Sequence, residues 1–260
     1  MKIATWNINS VRLRLHLVFE FLQQADIDIL CLQETKTKDD FFPAAALADV
    51  GWMHSVFRGE KSYNGVAIIS RLPVEYSEHR LWAGKDDCRH ICARINGVNI
   101  HNFYVPAGGD VADRDANPKF GHKIDFLDEM KGWFSNNSPR KSVLVGDLNI
   151  APLAEDVWST RQLRNVVSHT DIEREKLTAV INDGGWVDAV RKYYGPEEIL
   201  YSWWSYRARD WKASNRGRRL DHIWLSNDMG NKVRNVDIMT QARGFEKPSD
   251  HVPITIELVE

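Results

Sequence analysis

The stretch Lys141–Pro152, KSVLVGDLNIAP, decides how this chain is read. Its apolar run Val143-Leu144-Val145 has the length of a buried strand. Gly146 ends the run, and Asp147 and Asn149 follow two apart. On extended backbone that spacing points both side chains to one side. Pro152 closes the segment. A buried strand that delivers a carboxylate and a carboxamide to its C-terminal edge is what a polar site on a sheet needs. A turn would use the same two residues differently, to satisfy local backbone groups.

The pattern recurs along the chain. Lys2–Trp6 alternates and then meets Asn7 and Asn9. Ser10 reads as the N-cap of a helix from Val11 to about Ala25, with Leu15, Val18 and Leu22 on one face. Asp28–Leu32 is a second buried strand, and it ends in Gln33-Glu34-Thr35-Lys36. Further strands are predicted at Val66–Ile69, Val74–Leu81 and His90–Ile95, and Asn96-Gly97 turns the last of these into Val98–Tyr104. Asn117-Pro118 has the favoured order for opening a helix, here running to about Phe134. Thr170 and Glu173 have capping-box spacing for a helix that stops near Gly184-Gly185. Asp188 reads as the cap of a short helix, Ala189–Tyr194. Strands at Tyr201–Tyr206, Arg219–Leu225, Val233–Met239 and Val252–Leu258 complete the chain. Alternating strands and helices with hairpins predict an α/β layered fold with mixed sheets, one domain over residues 1–260.

Composition narrows the function classes. The chain has 260 residues, 43% hydrophobic, and a formal net charge of -2, so any polyanion-binding surface must be local. Three cysteines, Cys31, Cys88 and Cys92, lack metal-type spacing and fit reduced thiols in the cytoplasm. The opening MKIATWN has no signal-type apolar run, and no stretch is long and apolar enough to span a membrane. No interface stripe stands out, so a monomer is expected.

Asn7, Glu34, Tyr104, Asp147, Asn149, Asp221, Asp250 and His251 all fall at or near strand ends. Each alone has a bland explanation as a cap or a satisfied core group. Eight such residues abutting buried strands must pair with one another or with a metal, because buried polar groups are costly unpaired. Carboxylates and carboxamides without thiols favour a hard cation, Mg²⁺ with Mn²⁺ as a substitute.

These residues lie in segments that resemble the exonuclease III type of abasic-site endonuclease, within the endonuclease/exonuclease/phosphatase superfamily. The segments are WNINS at Trp6–Ser10, LQETK at Leu32–Lys36, YVP at Tyr104–Pro106, GDLNIAP at Gly146–Pro152, NRGRRLDH at Asn215–His222 and PSDHVP at Pro248–Pro253. The resemblance implies a four-layer sandwich, two packed mixed sheets with helices outside. It implies metal-dependent hydrolysis of phosphodiesters in base excision repair: abasic-site incision, with 3′→5′ exonuclease and 3′-phosphodiesterase activity on double-stranded DNA. Carried over by position, Glu34 is the principal metal ligand, with Asn7 and Asp250 beside the ion. Asp147 orients or deprotonates the attacking water, Asn149 and Tyr104 hold the scissile phosphate, and His251 pairs with Asp221. Whether Asp147 or His251 is the base stays open, as do the number of metal ions and the balance of activities. Two departures stand out. Relatives commonly carry Asn or Gln where this chain has Ala107, and a bulky apolar residue where it has Arg218. Backbone N–H groups of Gly108-Gly109 are one replacement for the first. The second leaves closure of the abasic-sugar pocket in question.

Between Arg207 and Arg219 lie six cations, Arg207, Arg209, Lys212, Arg216, Arg218 and Arg219, against one acid, Asp210. Trp203, Trp204 and Trp211 interleave with them. Such a run is a solvated loop in many proteins, but next to a strand-end site it fits DNA, with phosphates on the cations and aromatics at an extruded base. Arg12, Arg14 and Lys36 extend the expected track. By the resemblance Trp203 packs on the abasic sugar, with Leu220 beside it; the competing reading makes Trp203 a core residue. The implied substrate is DNA with abasic sites or blocked 3′ ends, in a nucleoid-associated enzyme. Two other functions remain: a relative hydrolysing a lipid or inositol phosphate, for which the basic aromatic loop is a poor fit, and an inactive DNA-binding relative, for which a site residue would have to be missing.

Overall fold

The computed structural model describes residues 1–259. In chain order its strands are β1 (Lys2–Asn7), β2 (Ile29–Gln33), β3 (His54–Arg58), β4 (Val66–Ser70), β5 (Val74–Glu78), β6 (His90–Ile95), β7 (Val98–Tyr104), β8 (Ser142–Asp147), β9 (Trp186–Asp188), β10 (Trp203–Trp204), β11 (Gly217–Arg218), β12 (Asp221–Ser226), β13 (Val233–Ile238) and β14 (Ile254–Leu258). They form two six-stranded mixed sheets, ordered β13-β14-β1-β2-β4-β3 and β5-β6-β7-β8-β12-β9, and a small ribbon, β10-β11. The α/β sandwich expected from the sequence is present.

Strand alternation builds the layers. Ile3, Ile29, Cys31 and Ile68 of the first sheet meet Ile100, Val143, Val145 and Ile223 of the second in one core. The residues between them face outward: Ala4, Trp6, Leu30 and Leu32 pack under the helix Leu15–Gln24. On the other sheet Phe103, Leu144 and Trp224 pack under the helices Pro118–Asn136 and Asp171–Gly184. Burying each large side chain contributes about 1.5–3 kcal/mol.

Each sheet has one parallel pair at its centre, β1 with β2 and β7 with β8, because a helix crosses over between the two strands. The carboxyl ends of these four strands carry Asn7, Gln33 followed by Glu34, Tyr104 and Asp147. Asp221 begins β12 opposite Asp147, and the 249–251 segment leads into β14, which runs antiparallel to β1. Ser249 Oγ donates to Asn7 O at 2.6 Å and Trp6 Nε1 donates to His251 O at 3.0 Å, fixing that segment on the end of β1.

Several local expectations are corrected. Gly146 lies inside β8 rather than ending it, at φ 142°, where a Cβ would stand 1.9 Å from Phe103 O on β7. Asp147 and Asn149 do not share a strand face. The strand ends at Asp147, Asn149 is left-handed at φ 55°, and its N–H donates to Asp147 Oδ1 at 2.9 Å, so a turn brings them together. Ser10 does not cap a helix. Its N–H and that of Val11 bond to Glu34 O and Thr35 O, and the helix starts only at Leu15. The predicted Tyr201–Tyr206 strand shrinks to Trp203–Trp204, and β3 and the helix Ala44–Asp49 carried no clear period. Asn117, the Thr170/Glu173 box and Asp188 cap their helices as expected. The three cysteines are free. Among the described residues no helix is long and apolar enough to cross a membrane.

Candidate active site

A cleft of ≈ 700 Å³ opens where the strand ends meet. Glu34, Tyr104, Asn149, Asp250 and His251 line it together with Trp203, Arg207, Arg216, Arg218 and Leu220. Asn7, Asp147 and Asp221 lie buried directly behind this lining. These thirteen residues therefore converge on one place.

The acid–histidine chain is continuous. Ser202 Oγ donates to Asp221 Oδ2 at 2.6 Å, and the same oxygen accepts from His251 Nδ1 at 2.7 Å. His251 Nε2 lies 3.6 Å from Asp147 Oδ2. Burial works against the His251 imidazolium, but the negative charges of Asp221 and Asp147 outweigh it and raise its pKa. Burial pushes the Asp147 carboxyl up, and the nearby His251 charge offsets only part of that. Burial, with Glu34 and Asp147 close by, holds the Tyr104 phenol well above its usual range, so it stays a donor. Asn149 already donates through Nδ2 to Val105 O at 2.9 Å and to Asp147 Oδ2 at 3.2 Å, so any phosphate contact shares that amide.

A second network joins the oxygen ligands. Asn7 Nδ2 donates to Glu34 Oε1 at 3.0 Å and to Asp147 Oδ2 at 2.8 Å. Asn9, which the sequence analysis left outside the site, donates to Asp250 Oδ1 at 3.0 Å and accepts from Lys36 Nζ at 2.7 Å. Its place two residues after Asn7 was the available signal. Burial opposes ionisation of Glu34, but Lys36 Nζ at 2.7 Å and the Asn7 amide hold its carboxyl below the usual range. Asp147, Asp221 and His251 also lie close enough together to hold an ion. That grouping fits a metal poorly, because His251 Nδ1 is engaged with Asp221 and an imidazolium has no free lone pair. Glu34, Asp250 and the Asn7 carboxamide offer only oxygens, the set a hard cation prefers. The Lys36 ammonium against Glu34 marks where positive charge is stabilised.

The model of the endonuclease/exonuclease/phosphatase family matches residues 4–251. The chain belongs to that family. A Bacillus subtilis exodeoxyribonuclease is 30% identical, over 98% of this chain and 98% of its own. A 3′ phosphatase from Neisseria, solved bound to a product DNA hairpin, superposes with TM-score 0.92 at 35% identity, covering 100% of both chains. An AP endonuclease from Archaeoglobus fulgidus superposes with TM-score 0.93 at 33% identity, again over 100% of both.

Within this endonuclease/exonuclease/phosphatase chain the basic run divides. Arg219 is fully buried against Asp156 and Asp188 and contributes to the core, not to a DNA surface. Trp204 is buried and packs edge-on to Trp211 away from the cleft; of the three tryptophans only Trp203 lines it. Trp203 is half-buried, neither core nor free. Arg14 is also removed from the expected track: it is buried and clamps Lys247 O and Tyr206 Oη, both at 3.0 Å. Lys36 belongs to the Glu34 network. Ala107 and Gly109 both line the cleft. Trp158, Val167 and Ser168 also line the cleft and carried no sequence signal; they flank the short helix Thr160–Leu163 and belong to none of the motifs.

Proposed function

We propose that this protein is a metal-dependent DNA-repair phosphodiesterase that breaks P–O3′ bonds at abasic sites and blocked 3′ ends of double-stranded DNA, with 3′→5′ exonuclease activity. The observation that carries the reading is the Asp221–His251–Asp147 chain at a cleft that is also lined by arginine on aromatic. Arg216 Cζ lies 4.7 Å from the Trp158 ring and Arg218 Cζ 5.2 Å from the Trp203 ring. Such pairs place cations along the cleft for a phosphate chain.

Glu34, Asn7 and Asp250 would hold Mg²⁺, with Mn²⁺ as a substitute. When bound, the ion supplies charge neutralisation at the scissile phosphate. His251, kept protonated by Asp221, is a cationic donor to a phosphoryl oxygen. Tyr104 and the Asn149 amide add neutral donors where negative charge grows. Asp147, with its raised carboxyl pKa, accepts the proton of the attacking water; the new P–O bond forms as the P–O3′ bond breaks, and O3′ leaves with the bonding pair and takes a proton from solvent water to become a 3′-hydroxyl. The raised pKa of His251 favours Asp147 over His251 as the base.

The continuous core between the sheets supports a single domain, a cleft lined within one chain supports a monomer, and the free thiols fit a reducing compartment such as the cytoplasm, where chromosomal DNA would be the substrate. The test is incubation with duplex DNA carrying one abasic site or one 3′-phosphate, with Mg²⁺ and with excess chelator. Cleavage only with the metal is expected; full activity in chelator, or activity on an inositol phosphate but not on DNA, contradicts the reading.

A further inference from the structure

Arg218 stands apart from the other cleft arginines in how it is held. β11 pairs with β10, Arg218 opposite Trp203, and the guanidinium lies over the Trp203 ring. From there it crosses the cleft. Nη1 donates to Ser168 Oγ at 2.6 Å and to Val167 O at 3.1 Å. It thus bridges the β10–β11 ribbon and the 166–168 segment, over buried Leu220. Its Nε–H is buried and has no partner among the described residues. A flexible surface arginine would leave the space between ribbon and segment open. Here a plane fixed by stacking and two hydrogen bonds occupies it.

We propose that Arg218 is a specificity-determining residue that selects phosphate monoesters over diesters, so that this chain removes 3′-phosphates in preference to incising internal abasic sites. The inference rests on the function proposed above. Both reactions break a P–O3′ bond, and they differ in the phosphate's second arm. In an internal diester the phosphate also carries the O5′ of the next sugar, which must leave the helix and enter the cleft. In a terminal monoester that arm is only an oxygen. Arg218 fills the volume the second sugar needs, while its charge suits the additional negative charge of the monoester. A phosphate monoester carries about −1.5 to −2 at pH 7, against −1 for a diester. An apolar group at this position would have the opposite preference.

The experiment compares two duplexes with Mg²⁺: one nicked with a 3′-phosphate, one with an internal tetrahydrofuran abasic analogue. Wild type should hydrolyse the first faster. Arg218→Ala should lower the phosphatase-to-incision ratio about tenfold or more, since it both empties the slot and removes the cation. Arg218→Lys, which keeps charge but loses the plane, should fall between. Ser168→Ala, which removes one anchor without touching the arginine, should move the ratio the same way by a smaller factor and serves if Arg218→Ala does not fold. A wild type that incises faster than it dephosphorylates, or a ratio unchanged in Arg218→Lys and Ser168→Ala, overturns this inference alone. A wild type inactive on both duplexes overturns the proposed function and this inference together.

Discussion

The Trp203 indole N–H donates to Asp250 Oδ2 at 2.9 Å, so a residue of the cleft wall also positions a candidate metal ligand. Trp203→Phe keeps the aromatic face and removes the donor. It should raise the Mg²⁺ concentration for half-maximal cleavage several-fold, in the range seen when groups behind metal ligands are removed, about 10–100-fold at most. Trp203→Ala should lose the wall as well, lowering abasic incision further. Mg²⁺ titrations of both variants, beside melting curves, separate the two contributions.

Glu34→Gln leaves the Asn7 contact but removes the charge that Lys36 now balances. The variant should need far more Mg²⁺ than wild type while its melting temperature stays within a few degrees. Cleavage at wild-type Mg²⁺ levels would remove Glu34 from the ligand set.

Asp147→Asn is nearly isosteric but accepts no proton. Its kcat should fall about 10²–10⁴-fold with abasic DNA still bound. A nearly active Asp147→Asn beside a dead, DNA-binding His251→Asn would transfer the base to His251.

On the outer face of the second sheet, buried His90 and His101 form a neutral relay. Arg80 N–H donates to His90 Nδ1 at 3.2 Å, and His90 Nε2 lies 3.2 Å from His101 Nδ1. Burial lowers the pKa of both, that of His101 to about 4. Both pKa values are depressed in the folded state, so as pH falls below about 6.5 the unfolded chain takes up protons the native one refuses. Stability should therefore drop between pH 6.5 and 4, by about 3 kcal/mol for His101 alone. Urea unfolding across that range gives the slope, and His101→Gln should flatten it.

Lys123 Nζ is fully buried, donating to Glu173 Oε1 at 2.5 Å and to Asn149 O at 2.8 Å. Lys123→Met leaves Glu173 buried without its partner and should cost about 3–5 kcal/mol. It should also lower kcat, because the Asn149 turn loses its anchor; denaturant midpoints and kcat measured together show both effects.

Much of the architecture was readable in the chain because it rests on local rules. The run Val143-Leu144-Val145, the alternation in Lys2–Trp6, the Asn117-Pro118 start and the Thr170/Glu173 box each state their element within a few residues. The strand-end polar residues were readable for the same reason: a buried carboxamide or carboxylate next to an apolar run announces a site. β3 and the cleft residues Trp158 and Ser168 were not, because nothing periodic or chemically unusual surrounds them.

What the sequence by itself determined is the layered α/β fold, the family motifs and the identity of the residues that meet at the strand ends. Only the tertiary structure decided their roles. Arg218 and Arg219 are neighbours of the same type, yet β11 aims one across the cleft, while the bend into β12 buries the other between Asp156 and Asp188. Asp147 and Asn149 come together through a left-handed turn, not a shared strand face. Local pattern reports which groups a segment carries. The direction each group faces, and the charge beside it, depend on backbone path and on distant partners, such as His251, 245 residues from Trp6. No short window of sequence contains those partners, so a cation's role as DNA contact, selector or core anchor is set only when the sheets close.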